Sequence, residues 1–206
     1  MTVSPIPVQA VRMTDVALFH SVLGVRAGIT DAADRLRAAG HTVLVVDQYD
    51  GRVFDGYAEA EAFAEQIGFP ELMSRAVSAV RGLPDGFVAV GFSNGGGMAE
   101  YVATQRSCGG VLMVSGALPV RMLGIDGWPA GVPAQIHYTD DDPRRRQEWI
   151  DALVAEITAA GAPLERFDYP GDGHLFTDPS LKDEYDAQAA ALLWSRAIAF
   201  CDAAGR

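Results

Sequence analysis

Apolar positions along the chain fall into short runs separated by longer segments with helical period. The first clear run is 15–20, "DVALFH". In 28–40, Ile29, Ala32, Ala33, Leu36 and Ala39 recur at helical spacing and Gly40 supplies a stop. The run 41–47, "HTVLVVD", is nearly continuous and β-branched, the pattern of a strand covered on both faces. Two helical pieces follow, at 57–66 and 71–81. Strands are then predicted at 86–92, 110–116, 134–139 and 164–170, with helices at 94–107, 144–161 and 182–203. Trp149, Ile150, Leu153, Val154 and Ile157 mark the inward face of the 144–161 helix. Leu192, Leu193, Ala197 and Phe200 mark that of the last one.

Buried strands that alternate with helices imply an α/β fold. The expectation is a three-layer sandwich, with a mostly parallel sheet of about six strands between helices. No repeat, linker or low-complexity segment interrupts it, so 1–206 reads as a single domain. The segment 117–132 reads as a loop, and its Met122, Leu123 and Trp128 are expected on the wall of a pocket.

In such sheets chemistry sits at the carboxyl ends of the strands. A serine, an acid and a histidine appear at three of those ends, in that order. Gly91-Phe92-Ser93-Asn94-Gly95 matches G-x-S-x-G between a strand and a helix. In that turn the serine is strained and crowded, so Gly91 and Gly95 stand where side chains would clash. The Asn94 amide at the helix start is free to bind an oxyanion. Gly96 would let the first helical turn approach a neighbouring strand, and Gly97 has no evident reason. Neither the Walker pattern nor G-x-G-x-x-G fits these glycines.

His174 lies in "YPGDGHLFTD" after the last strand, placed to activate Ser93 as a base. His41 begins a strand at the opposite edge of the sheet, and His137 lies inside a strand. His20 ends the first strand and is a second candidate for contact with substrate. The acid comes from "TDDDP", where the residues alone leave Asp140, Asp141 and Asp142 open. His137 followed by three aspartates does not give converging metal ligands, and neither a metal nor another cofactor is implied.

Composition narrows the partners. The chain has 206 residues, 49% hydrophobic and 21% charged, with a net charge of −11 from 27 acidic and 16 basic residues. That balance argues against nucleic acid or an anionic membrane surface as partner. Cys108 and Cys201 stand in apolar settings and read as buried small hydrophobes. The N-terminal segment carries prolines rather than a signal-peptide run. No stretch approaches the ~18 apolar residues of a membrane span, so a cytoplasmic location is expected. A homodimer through an edge strand or the last helix is compatible with the sequence, which demands none.

The stretches "LFHSVLGVRAGITDAADRLRAAGHTVLVVDQY", "GFSNGGGMA", "PAQIHYTDDDP" and "DYPGDGHLFTD" resemble the dienelactone hydrolase family of the α/β-hydrolase fold. The resemblance runs from about Asp15 to the C-terminus. It implies a minimal core, because 117–132 is too short for the helical cap that many α/β-hydrolases insert there. It implies a Ser93–His174–Asp142 triad, with the acid directly before Pro143. It also implies an oxyanion hole from the Val22 and Asn94 amides. By their place at the exit of the first strand, His20, Ser21 and Leu23 are candidates for the substrate pocket. Three positions depart from the family pattern. Ser93 stands where the family has cysteine, and Ser21 where it has the glutamate that activates that cysteine. Asp178 stands where it has a substrate-binding arginine, and a carboxylate there would repel an anionic lactone.

The expected activity is hydrolysis of a small ester or lactone through an acyl-enzyme. Two alternatives are a binding protein of the same fold without catalysis, and a thioesterase, amidase or acyltransferase with the same triad.

Overall fold

A computed structural model describes residues 13–204. The reading of 1–12 as lacking a leader lies outside them. Six strands, β1 (Asp15–Phe19), β2 (Thr42–Val46), β3 (Val88–Phe92), β4 (Gly110–Val114), β5 (Ala134–Thr139) and β6 (Leu164–Tyr169), form a parallel sheet in the order β2-β1-β3-β4-β5-β6. Leu18 pairs with Val45 on one side and Val90 on the other, and Val90 pairs with Leu112. The helices are α1 (Ala27–Ala38), α2 (Tyr57–Ile67), α3 (Phe69–Ala79), α4 (Asn94–Gln105), α5 (Gln147–Ala159) and α6 (Ala187–Ala204). The sheet is the middle of three layers, with α4 against β1, β3 and β4 and α6 against β4 and β5.

Every residue of β3, β4 and β5 is buried. That explains the unbroken apolar runs of β3 and β4, because helices cover both faces, while β5 also buries Gln135, His137 and Thr139. Each leucine or valine so enclosed contributes about 1.5–3 kcal/mol. The strand β2 departs from expectation. It is an edge strand with Thr42 exposed and Val43–Val45 half-buried, although its β-branched run reads as central.

Two helix faces also differ from their periodicity. Leu192 is exposed, and Trp149 points outward while Ile150, Leu153 and Ile157 are buried. The last helix starts at Ala187 rather than 182. Asp186 accepts the Gln188 and Ala189 amides at 2.8 and 2.9 Å and so sets its start. Cys108 and Cys201 are buried and free.

One buried charge position is unusual. Glu100 on α4 is fully enclosed, and its Oε1 accepts the Leu118 amide at 3.1 Å. Burial pushes its carboxyl well above the ordinary value of 4.5. A group raised in the folded state stabilises the fold at low pH and loses that contribution as pH rises above 4.5. The isosteric Glu100→Gln should therefore leave the melting temperature nearly unchanged at about pH 4 and raise it at about pH 8. An equal shift at both values would contradict a neutral, buried acid.

Candidate active site

The chain leaves β1 towards β2 on one side, and β3 lies on the other. Loops following β1 and β3 therefore diverge and open a crevice above the strand ends. Ser93 sits there, between β3 and α4, with φ of 51° and ψ of −118°. A non-glycine residue in that region is strained, and such strain persists only where the surroundings impose it.

The glycines supply the imposing geometry. A Cβ on Gly91 would overlap the Gly95 carbonyl, and one on Gly95 would overlap the Phe19 carbonyl of β1. Gly96 meets the Gly116 carbonyl after β4 in the same way. These three carbonyls belong to the start of α4, the end of β1 and the exit of β4, so none yields without moving one of those elements. Gly91→Ala should therefore cost about 3 kcal/mol of unfolding free energy in urea titration. A loss below about 1 kcal/mol would mean the turn tolerates a side chain.

His174, on the loop after β6, is almost fully buried. Its Nε2 lies 2.7 Å from Ser93 Oγ, and its Nδ1 lies 2.8 Å from Asp142 Oδ2. A carboxylate only accepts, so the proton belongs on Nδ1 and the Nε2 lone pair faces the serine hydroxyl. Asp142 is buried and also accepts the Arg144 amide at 2.8 Å, whereas Asp140 and Asp141 are exposed. The histidine loop is held from two sides. Thr139 Oγ1 donates to the Gly173 carbonyl at 2.9 Å. Glu184 accepts the Leu175 amide at 2.6 Å and the Tyr57 hydroxyl at 2.8 Å. Tyr57 and His174 in turn meet edge to face, with ring centroids 6.0 Å apart.

Two backbone donors flank the serine. Asn94 is the first residue of α4, so helix geometry gives its amide no partner. After β1, the Leu23 amide donates to Ser21 Oγ and the Gly24 amide to the Ser21 carbonyl. That turn leaves the Val22 amide with no acceptor among the described residues. Val22, Ser93, Asn94 and His174 share the lining of a cavity of about 490 Å³.

Several expected pocket residues lie elsewhere. His20 is fully buried. Its Nδ1 donates to the Ser21 carbonyl at 2.6 Å and its Nε2 accepts the Gln48 amide at 3.1 Å. It ties the exit of β1 to that of β2, and burial holds it below the usual histidine range. Ser21 spends its hydroxyl on the loop itself, and Leu23 belongs to the core. Trp128 is also buried, with Nε1 donating to the Val132 carbonyl at 2.8 Å, so it props the 117–132 segment from inside. Met122 and Leu123 do line the cavity.

Asp178 does not line it. Its carboxylate accepts the Ser180 amide and hydroxyl and lies 3.8 Å from Arg26, so the expected repulsion of an anionic lactone has no geometric basis. Both ring nitrogens of His137 are engaged, by the Tyr169 hydroxyl and by Gln135, and burial lowers its pKa to about 3. Gly97 gains a reason: a Cβ there would come 2.9 Å from Leu118 Cδ2 across the cavity wall.

The sequence did not point to Tyr138, Arg144, Arg146, Trp149 or the α2–α3 corner with Glu61, Ala64, Glu65 and Phe69, all of which line the cavity. The available signal was an aromatic residue, Phe69, set between Gly68 and Pro70.

The fold has solved counterparts. A dienelactone hydrolase-like promiscuous phosphotriesterase from metagenomic libraries is 23% identical, with a TM-score of 0.76 over 94% of this chain and 87% of that one. A dienelactone hydrolase from Anabaena variabilis is 19% identical, with a TM-score of 0.64 over 95% of this chain and 87% of that one. The alpha/beta hydrolase domain-containing protein 10 from mouse is 11% identical, with a TM-score of 0.67 over 94% of this chain and 91% of that one. At these identities the likeness concerns the fold. No curated protein matches the chain. The dienelactone hydrolase family model matches residues 2–204, and the chain belongs to that family of hydrolases.

Proposed function

We propose that the protein is a serine hydrolase of small carboxylic esters or lactones, working through Ser93, His174 and Asp142. The observation that carries this reading is the unbroken contact from the Ser93 hydroxyl through His174 to the Asp142 carboxylate, at 2.7 and 2.8 Å.

In this reading Ser93 Oγ attacks the carbonyl carbon as its proton passes to His174 Nε2. Asp142 fixes the imidazole tautomer and stabilises the imidazolium that forms. The oxyanion is held by the Val22 and Asn94 amides, with the positive end of α4 behind Asn94. His174 then protonates the departing alkoxide, leaving an acyl-enzyme. A water molecule gives its proton to His174 and attacks the acyl carbon. Ser93 leaves with that proton restored, and the carboxylic acid is released.

With no cysteine at position 93, a glutamate at position 21 would have no thiol to activate. Ser21 serves the loop instead. A binding-only relative would have no use for a strained serine poised on a buried histidine–carboxylate pair, and this favours catalysis. Wild-type protein should release p-nitrophenol from p-nitrophenyl butyrate with saturation kinetics. A rate no higher than that of buffer would overturn the proposal.

A further inference from the structure

Three large apolar side chains remain exposed on the cavity that Ser93 lines. Phe69 at the start of α3, Met122 in the 3₁₀ turn Val120–Leu123 and Trp149 in α5 are 51%, 53% and 37% accessible, and all three line the cavity. They come from three separate elements, so their meeting is a property of the fold rather than of one local sequence. Exposed apolar groups gathered around a concave site indicate a surface that a ligand covers. The buried part of the lining continues the same chemistry, with Ala64, Met98, Ala117 and Leu123.

This wall is fixed before substrate arrives. Glu100 accepts the Leu118 amide at 3.1 Å, and Glu156 accepts the Val120 amide at 2.9 Å. The segment carrying Leu118, Met122 and Leu123 is thus pinned by two carboxyl groups from α4 and α5. Gly97 keeps the opposing side bare, because a side chain there would occupy the gap in front of Leu118. A volume of about 490 Å³ would be left mostly empty by an acetyl group.

The polar groups at the mouth do not select an anion. Glu61, Glu65, Arg144 and Arg146 carry two charges of each sign. Glu61 and Arg144 pair at 2.5 Å, and the Arg144 guanidinium lies 4.0 Å over the Tyr57 ring.

We infer that the cavity binds the acyl part of a neutral ester, an unbranched aliphatic chain of medium length, running from Ser93 towards Phe69, Met122 and Trp149. The inference rests on the hydrolase reading above and names its substrate class. With p-nitrophenyl octanoate, the octanoyl group moves to Ser93 Oγ as p-nitrophenol is released, and water then takes it as octanoic acid.

The test compares kcat/KM for p-nitrophenyl acetate, p-nitrophenyl octanoate and the anionic p-nitrophenyl hemisuccinate. Octanoate should exceed acetate roughly 30-fold, the equivalent of burying about two or three of the added methylenes. Hemisuccinate should not exceed acetate. Met122→Asp, at an exposed position that the fold does not need, should lower the octanoate-to-acetate ratio at least about fivefold. Gly97→Leu should do the same by filling the gap. Leu192→Asp, a similarly exposed leucine on α6, should leave the ratio unchanged. Acetate or hemisuccinate as the better substrate, or a ratio that Met122→Asp does not move, would overturn the inference. If Ser93 reacts with a fluorophosphonate while acetate is preferred, the acyl-chain inference alone fails. If neither ester is cleaved and Ser93 does not react, the hydrolase reading fails and takes the inference with it.

Discussion

Ser93→Ala should lower kcat for p-nitrophenyl butyrate by about 10⁶-fold, the scale found when the nucleophile of a serine triad is removed. The reason is specific to the position. Ser93 Oγ lies 2.7 Å from the Nε2 of His174, and an alanine removes the hydroxyl that this base would activate. Residual turnover would come from the Val22 and Asn94 amides and from substrate binding. Stability should change by no more than about 1 kcal/mol, the net worth of one hydrogen bond. The backbone at 93 is shaped by Gly91, Gly95 and Gly116, not by the hydroxyl. A melting curve kept alongside the rate therefore separates lost chemistry from lost fold. A loss of less than about tenfold would mean the serine is not the nucleophile.

Asp142→Asn should lower kcat by about 10⁴-fold while leaving the loop in place. Asparagine keeps an oxygen for the Arg144 amide, now 2.8 Å from Asp142 Oδ1. Its NH₂ group would face His174 Nδ1 and donate to it. The imidazole proton then moves to Nε2, and the face towards Ser93 becomes a donor where a base is needed. Asp140→Asn and Asp141→Asn serve as controls. Both residues are exposed, and the carboxylate that meets His174 is that of Asp142, so each variant should stay within about twofold of wild type. A comparable loss in either would move the acid away from position 142.

The architecture was largely legible because its central strands are buried on both faces. The predicted strand 134–139 coincides with β5, and the serine turn falls between β3 and α4 as its glycines require. Edges were less legible. The β-branched run of β2 carries no sign that one neighbour is missing, and the periodicity of α5 cannot tell that Trp149 turns to a cavity rim.

The candidate site divides in the same way. Ser93 and His174 stand out by local chemistry, because glycine-shaped turns leave a mark in sequence. Asp142 does not differ locally from its two neighbours; only its approach to His174 does. His20 and Trp128 carry chemistry that suits a pocket, yet backbone groups of residues that do not line the cavity satisfy it. The purpose of Gly97 depends on Leu118, which lies across a gap that no local pattern encodes. The α2–α3 corner reaches the cavity through tertiary packing alone.

The most direct measurement is covalent labelling with a fluorophosphonate probe followed by peptide mass analysis. Wild-type protein should take up one equivalent of probe on the peptide that carries Ser93, with ester turnover falling in proportion. Ser93→Ala should take up none. Probe on another residue, or no uptake by folded wild-type protein, would contradict a nucleophilic Ser93.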